Sequence, residues 1–413
     1  MNSKKDIQIL RELAKQYAAI AAKPVQDERR ALWAAHFSKK KTRPLVLVSF
    51  GMHNVWCRKV FGDQAMQCED PFYRQHERTL RMNIFHNGIG DDYIQEPWFT
   101  QAASVMGSWD KPWGLFQGRH NSDMEGGAWQ YDPPLKNWAD ARKLTVTSHE
   151  IDEGETTRNV ERLREALGDI LPVDVVRGSF YSHFSADLST HLAKLRGLDT
   201  LMLDMYQYPD ELHRLLAFMR DAILANNQAA EDAGDYSLTS QHNQAMIYAE
   251  DLERPRPNSG ARQRKHLWAF CAAQEYTLIS PQFHEEFLFQ YQRPILEHFG
   301  LVHYGCCEDL TTKIDMLRSL KNLRSIAVAP AADVRKCAEQ IGTDYIFSWR
   351  PNPTDMVCCG WDEKRIRTII RQGLAAAQSC FVHIYLKDIE TVEGDPGRLS
   401  RWVKIVRGIA EKS

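Results

Sequence analysis

Segments typical of helices and segments typical of strands alternate four times in the last third of this sequence. The predicted units are helix 281–298 before strand 301–305, helix 310–320 before strand 325–328, helix 333–341 before strand 345–348, and helix 362–377 before strand 381–386. Strands separated by such helices pair in parallel, because a parallel neighbour needs a crossover connection. The repeat predicts an α/β protein, and 413 residues fit a (β/α)8 TIM barrel that carries additions.

The N-terminal half follows the same scheme less regularly. Further strands are predicted at 45–50, 173–180 and 245–248. Residues 91–140 are rich in Trp, Gly and Pro and show little periodicity, and irregular stretches of this length in a compact domain are usually functional. We therefore predict an N-terminal helical extension over residues 1–42 and one barrel domain over 43–413, with a long insertion at about 91–140 above the barrel mouth.

The composition narrows the classes of function. The formal net charge is −2, and the chain has neither the strongly basic balance of a nucleic-acid-binding protein nor an apolar run long enough to span a membrane. The charged N-terminus lacks the apolar core of a signal peptide, so we expect a cytoplasmic protein. Nine cysteines favour free thiols or metal ligands over a disulfide framework.

Thiol-bearing and charged residues follow directly after three of the predicted strands. They are Cys306, Cys307 and Glu308 after the first of the four, Arg350 and Asn352 after the third, and Lys387 and Asp388 after the last. The carboxyl ends of barrel strands converge on one face, where active sites lie. The sequence thus predicts an enzyme with Glu308, Lys387 and Asp388 as catalytic residues and with Arg350 and Asn352 as substrate ligands.

Other candidates for substrate binding lie elsewhere in the chain, at His86, Asp92, Trp98 and Glu275. Aromatic side chains near the predicted mouth either wall a pocket for an aryl ether or an ammonium group, or only anchor a lid. They are Trp98, Trp109, Trp113, Phe116, Trp129 and Tyr131. His242 precedes the predicted strand 245–248, which assigns it to the amino end of the sheet, where stabilising roles are commoner.

Motifs between about residues 160 and 410 carry a resemblance to known proteins. They are Arg196-Gly197-Leu198, the run 201–213, Ser280-Pro281 with Glu285 and Tyr291, the turn 304–308, and Lys387-Asp388. Together they resemble the uroporphyrinogen decarboxylase-like superfamily, and within it the corrinoid-dependent methyltransferases of the O-demethylase type more than the decarboxylases. The decarboxylases have paired arginines followed by Ala-Gly-Arg, a signature that residues 48–54 lack.

The resemblance implies an enzyme that removes a methyl group from a small methoxylated or methylated compound. The acceptor would be a corrinoid (cobalamin) on a partner protein, since the chain lacks an Asp-x-His-x-x-Gly motif. Many relatives bind zinc through His-x-Cys and a later cysteine, but the matching position here is Tyr304-Gly305-Cys306. Two readings stay open: zinc on the shifted set His303, Cys306, Cys307 and Cys358, or a metal-free site with Glu308 as general acid.

Two other functions stay open alongside methyl transfer. One is a metal-independent decarboxylase or lyase that acts on a carboxylated ring compound. The other is a non-catalytic ligand-binding barrel, suggested by Tyr304 at the position where relatives have histidine. Release of carbon dioxide without a corrinoid would identify the first, and ligand binding without turnover would identify the second.

Overall fold

The computed structural model describes residues 2–107, 110–123 and 129–412. Its helices are α1 (Asn2–Ala21), α2 (Pro24–Phe37), α3 (Val55–Phe61), α4 (Pro71–Ile89), α5 (Glu153–Leu167), α6 (Ser189–Arg196), α7 (Leu198–Gln207), α8 (Pro209–Asp232), α9 (Pro281–His284), α10 (Gln290–Leu296), α11 (Ile314–Leu317), α12 (Val334–Ile341), α13 (Glu363–Ala376) and α14 (Arg398–Ala410). In the described ranges, none of these helices has the length and apolar character needed to cross a bilayer.

The strands are β1 (Leu45–Val48), β2 (Phe99–Ala102), β3 (Gly118–Asn121), β4 (Trp129–Asp132), β5 (Val173–Val176), β6 (Trp268–Cys271), β7 (Leu301–Tyr304), β8 (Leu323–Val328), β9 (Ile346–Trp349) and β10 (Phe381–Leu386). Six of them form a parallel sheet in the order β1-β10-β9-β8-β7-β6. β2 and β5 form a second parallel sheet, and β3 and β4 an antiparallel hairpin. The parallel strands confirm the predicted α/β class.

The eight parallel strands lie in two sheets, one of six strands and one of two. The first strand, β1, pairs with the last, β10, which is the connection that closes a barrel. Among the described residues, however, no ladder of hydrogen bonds joins β1 to β2 or β5 to β6. The structure is therefore consistent with a TIM-barrel-like fold, but the described residues form no closed barrel.

The four predicted helix–strand units are present, and β7 to β10 lie within two residues of their predicted bounds. The predicted helix 281–298 is interrupted by a π-helical segment at Glu285–Phe289, and the helix predicted at 310–320 shortens to α11. The predicted strand 245–248 is wrong. There the side-chain oxygen of Asn243 accepts the N–H of Ala245 at 3.1 Å, a local bond that favours a turn over a strand.

β2 lies inside the region predicted as an insertion above the mouth. Because β2 pairs with β5 along its whole length, this part of residues 91–140 belongs to the scaffold. The β3–β4 hairpin and the irregular chain around it make up the rest of the described part of that region.

One face of the six-stranded sheet carries a buried polar row. The strand register places His303, Ser325, Ser348 and His383 on this face, and none of the four is exposed. His303 Nδ1 lies 2.9 Å from Ser325 Oγ, and His383 Nδ1 lies 2.9 Å from Nε2 of His36 on α2. Burial lowers the pKa of His36 to about 3, so the imidazoles pair as neutral groups. Helix α2 is thereby fixed against the sheet.

Asp92 was predicted to bind substrate, and the structure gives it a different environment. Its carboxylate is fully buried and accepts hydrogen bonds from Arg43 at 2.7 and 2.8 Å and from the N–H of Val46 at 2.8 Å, with Arg407 as a further partner. Burial alone would raise the pKa of Asp92, but Arg43 and Arg407 outweigh it and lower the pKa. Asp92 thus joins β1 and the segment before it to α14. Its hydrogen bonds are not with the residues that follow β7, β9 and β10.

We expect Asp92→Asn to lower the free energy of unfolding by about 3 kcal/mol at neutral pH, because it leaves two arginines without their carboxylate. Since the folded pKa of Asp92 is depressed, its contribution is present above about pH 4 and is lost as the pH falls further. Urea denaturation at several pH values measures both effects. The control is Asp315→Asn, which removes an exposed ion pair worth at most about 1 kcal/mol. Equal losses for the two variants would contradict the assignment.

Candidate functional site

The chain turns sharply after β7 and presents two adjacent thiols. Gly305 has a φ of +99°, and a Cβ at this position would lie 2.9 Å from the Cβ of Ala327, so the turn requires glycine. The N–H of Gly305 donates to the carbonyl of Cys271 at 2.8 Å, which ties the turn to β6. Cys306 is therefore buried behind the turn, whereas Cys307 is exposed.

Glu308 holds this turn against the neighbouring strand. It is fully buried, and its carboxylate accepts the N–H of Ala273 at 2.7 Å and the N–H of Cys306 at 2.8 Å. One side chain thereby links the chain segments that follow β6 and β7. This geometry does not favour the predicted role as general acid, because both oxygens face backbone donors. Glu308 is a positioning residue for Cys306.

The residues after β7 and β10 come together as the sequence predicted. Cys306 Sγ lies 3.6 Å from Cys307 Sγ, and Lys387 Nζ lies 3.2 Å from Cys307 Sγ. Asp388 pairs with Lys387 and places Oδ2 3.4 Å from Cys307 Sγ. Asp388 has a φ of +56°, and strained backbone of this kind is found mainly at functional sites. We call these four residues the thiol cluster.

The charges around the thiol cluster favour a thiolate on Cys306. The hydrogen bond from Cys307 lowers the pKa of the Cys306 thiol to about 6, against the effect of burial and with help from the charges of Arg350 and Lys387. The same hydrogen bond and burial raise the pKa of Cys307. Burial would lower the pKa of Lys387, but the Cys306 thiolate and Asp388 outweigh it and raise that pKa. These directions favour a thiolate on Cys306 and a thiol on Cys307 beside the ion pair of Lys387 with Asp388.

Arg350 supports the cluster from inside the sheet and is not exposed to a ligand. Its guanidinium donates to the carbonyl of Gly305 at 3.2 Å, to the carbonyl of Cys306, and to His303 Nε2 at 2.9 Å. The predicted role as substrate ligand is not favoured, because only 1% of the residue is exposed. Arg350 fixes the thiol-bearing turn and contributes positive charge beneath it.

The predicted zinc ligands are not assembled. The Nδ1 atom of His303 contacts Ser325 and its Nε2 atom accepts from Arg350, so neither nitrogen is free for a metal. Cys358 lies beside the backbone of Glu390 and Thr391, after β9. In the described part of the chain, no group of three His, Cys, Asp or Glu residues is arranged to hold a metal. The residues present therefore do not fit the predicted zinc site.

The recorded hydrogen bonds of the other predicted substrate ligands go to residues outside the thiol cluster. His86 Nε2 lies 3.0 Å from Asp91 Oδ2, and Trp98 is buried. Asn352 is exposed and its side chain accepts a backbone N–H two residues later. Glu275 borders a separate cavity of about 870 Å³. Binding of a substrate by these residues stays a prediction.

The predicted aromatic wall is not one surface. Trp113 is fully buried in the core, whereas Trp129 and Phe116 are more than half exposed. Trp129 and Tyr131 border the same 870 Å³ cavity as Glu275. Trp109 lies outside the described residues.

A second cavity lies between β5 and β6, which no ladder of hydrogen bonds joins among the described residues. No pattern in the sequence predicted this cavity. It has a volume of about 450 Å³ and is lined in part by Val176 of β5 and by Trp268 and Phe270 of β6. Phe270 packs in one small buried cluster with Cys306, so the wall of the cavity reaches the thiol cluster. We call this space the strand-gap cavity.

The polar groups of the strand-gap cavity are arranged for a neutral ligand. Arg177 at its edge is paired with Asp235 and Glu153. The rings of His183 and His242 contact each other in its wall, and burial lowers the pKa of both, that of His183 to about 4. His183 has a φ of +49°. The assignment of His242 to the amino end of a strand was wrong, because residues 245–248 form no strand.

No family model matches this chain, and no curated protein sequence matches it. Among solved structures, the chain is similar to a methyltransferase from Methanosarcina mazei, with 13% sequence identity and a TM-score of 0.49 over 93% of this chain and 98% of the other. Because the TM-score lies below 0.5, we draw no conclusion about activity from this likeness.

We expect Glu308→Gln to lower the free energy of unfolding by about 1–3 kcal/mol, because the amide NH2 group would face a backbone N–H that then has no acceptor. Chemical denaturation measures the change. The control is Glu297→Gln on the exposed surface, where a change within about 0.5 kcal/mol is expected. A Glu308→Gln protein as stable as the control would show that the carboxylate does not hold the turn.

Proposed function

We propose that the protein is a methyltransferase that removes a methyl group from a small, neutral methoxylated or methylated compound and passes it to a corrinoid on a partner protein. The observation that carries the proposal is the placement of Lys387. Its ammonium group stands at the carboxyl end of β10, 3.2 Å from Cys307 Sγ, on a side chain that is 11% exposed. The resemblance of the motifs at 196–213, 304–308 and 387–388 supports the same class of reaction.

Lys387 is suited to stabilise a leaving group. When a methyl–oxygen bond breaks and the methyl carbon is transferred, negative charge develops on the oxygen that stays with the substrate. A fixed ammonium group at that oxygen stabilises the transition state more than the ground state. The raised pKa of Lys387 keeps this group charged, and Asp388 restricts its position. Lys387 acts here by electrostatic stabilisation.

The strand-gap cavity is suited to hold the rest of such a donor. Its aromatic wall includes Trp268 and Phe270, and its one arginine, Arg177, is already paired, so an uncharged ring is favoured over a carboxylate. A volume of about 450 Å³ accommodates a compound of one or two rings. The contact of Phe270 with Cys306 brings the bound compound near the thiol cluster.

A reduced corrinoid would supply the nucleophile that accepts the methyl group. The chain's own residues then have three tasks: to bind the donor in the strand-gap cavity, to hold its ether oxygen near Lys387, and to exclude water from that oxygen. Arg350 and Glu308 contribute by fixing the turn that carries Cys306 and Cys307.

The test uses free cobalamin, reduced to cobalt(I), as acceptor and a panel of neutral methoxylated arenes as donors. Formation of methylcobalamin is followed by absorbance. We expect Lys387→Met to lower kcat by about 100-fold, the loss typical of one electrostatic stabiliser of a developing oxyanion. Binding of the donor should change little, because Lys387 acts on the leaving oxygen in the transition state.

The matched control is Lys336→Met, which removes an exposed lysine paired with Asp333 and should leave the rate unchanged. Equal rates for Lys387→Met and the control would remove Lys387 from the mechanism. Release of carbon dioxide from carboxylated analogues without cobalamin would replace methyl transfer by the lyase function. Donor binding without any methylcobalamin would favour a non-catalytic barrel.

A further inference from the structure

The Cys306–Cys307 pair has properties that the proposed methyl transfer does not use. Its two sulfur atoms are 3.6 Å apart on adjacent residues. Cys306 is only 2% exposed, whereas Cys307 is exposed and gives a ligand access from solvent. The hydrogen bond between them lowers the pKa of Cys306 to about 6, so one sulfur is a nucleophile at neutral pH. Two such sulfurs form a soft pair of donors.

The distance between the sulfurs selects the geometry of a shared ligand. Two sulfurs bonded to one soft atom at about 2.3 Å each are about 3.8 Å apart when the angle at that atom is tetrahedral, and about 4.6 Å apart when it is linear. A disulfide would require about 2.05 Å. The observed 3.6 Å therefore fits a bent S–X–S unit with little movement of either side chain.

The charges around the pair oppose a bare metal cation. Lys387 Nζ lies 3.2 Å from Cys307 Sγ, and the charge of Arg350 acts on Cys306 from the other side. Asp388 Oδ2 also lies 3.4 Å from Cys307 Sγ, but Lys387 pairs with this carboxylate, and no group of three His, Cys, Asp or Glu in the described ranges is arranged to hold a metal. A trivalent arsenic atom that carries one carbon substituent needs only two sulfurs, and its dithiolate complex is neutral. Such an arsenic atom fits the 3.6 Å separation of the two sulfurs, and its neutral complex places no positive charge beside Lys387 and Arg350.

We infer that Cys306 and Cys307 form a bidentate site for mono-substituted trivalent organoarsenicals of the type R–As=O or R–As(OH)2. The inference does not depend on methyl transfer, because it uses only the sulfur geometry and the charges beside it. Lys387 has a second task here, since its ammonium group lies 3.2 Å from Cys307 Sγ and can stabilise negative charge on an oxygen bound to the arsenic atom.

The binding step balances without an oxidant. The Cys306 thiolate attacks arsenic in R–As=O, one As–S bond forms, and the As=O double bond becomes an As–O⁻ single bond whose charge the Lys387 ammonium group stabilises. The oxygen takes one proton from solvent. The Cys307 thiol forms the second As–S bond, and its proton leaves with the hydroxide as water. The oxidation states of arsenic and sulfur do not change.

The test is titration of the full, freshly reduced chain with phenylarsine oxide, followed by calorimetry. We expect one equivalent to bind per chain. Cys306→Ser and Cys307→Ser should each weaken the Kd by about 100-fold or more, because the second As–S contact loses its intramolecular advantage. Thermal unfolding checks that both variants fold. If Cys306→Ser does not fold, Cys307→Ser decides the outcome, because Cys307 is exposed.

The matched control is Cys359→Ser, which alters the exposed member of the other adjacent pair, Cys358–Cys359. It should keep the affinity of the unmodified chain. An unchanged Kd in Cys307→Ser, or a loss of binding in Cys359→Ser, would overturn the assignment. Stoichiometric zinc uptake that disappears in Cys307→Ser would overturn the charge argument. The assay contains no methyl donor or corrinoid, so failure here leaves the proposed function untouched.

Discussion

The buried guanidinium of Arg350 is the group on which the candidate site depends. It lies at the end of β9 and donates to the carbonyls of Gly305 and Cys306 and to His303 Nε2. The residues that carry these acceptors are buried, so loss of the guanidinium would leave buried polar groups with fewer hydrogen bonds. The hydrogen bonds fix a glycine turn in a left-handed conformation, and the charge of Arg350 stabilises the thiolate that the turn carries.

Glu308 acts on the same turn from the opposite direction. Arg350 donates hydrogen bonds to two carbonyl groups of the turn. Glu308 accepts hydrogen bonds from the N–H of Cys306 in the turn and from the N–H of Ala273. The turn is therefore held through both kinds of backbone group by two buried side chains of opposite charge type. Lys387 and Asp388 reach it from β10 at the exposed side. This explains how adjacent cysteines can differ in protonation although they share the same stretch of backbone.

Two physical regularities allowed β7 to β10 and the thiol cluster to be predicted from the sequence. Parallel strands buried on both faces are mostly apolar, which located β7 to β10 although each carries one residue of the buried polar row. The convergence of strand ends brought Cys306 and Cys307 together with Lys387. The same apolar criterion failed at 245–248, where a side-chain hydrogen bond from Asn243 favours a turn. An apolar run of four residues does not by itself distinguish these outcomes.

The roles of the buried groups could not be predicted in the same way. Residue type shows that Glu308 and Arg350 carry charged groups. It does not show that these groups form hydrogen bonds with backbone groups of neighbouring segments. His183 and His242 are 59 residues apart in sequence and meet in the wall of the strand-gap cavity, a contact that no local pattern indicates. The shifted zinc set failed for a similar reason, since the nitrogens of His303 are already bound within the sheet.

The hydrogen bond from Cys307 and the charges of Arg350 and Lys387 lead us to expect a negative charge on Cys306 at neutral pH. The most direct measurement is the S–H stretching band in the vibrational difference spectrum between the unmodified chain and Cys306→Ser. With a pKa of about 6, Cys306 should contribute no S–H band to the difference well above pH 6 and one S–H band well below it. An S–H band of Cys306 that persists at neutral pH would contradict the account, because the thiolate that Arg350, Lys387 and Cys307 are arranged to stabilise would not exist.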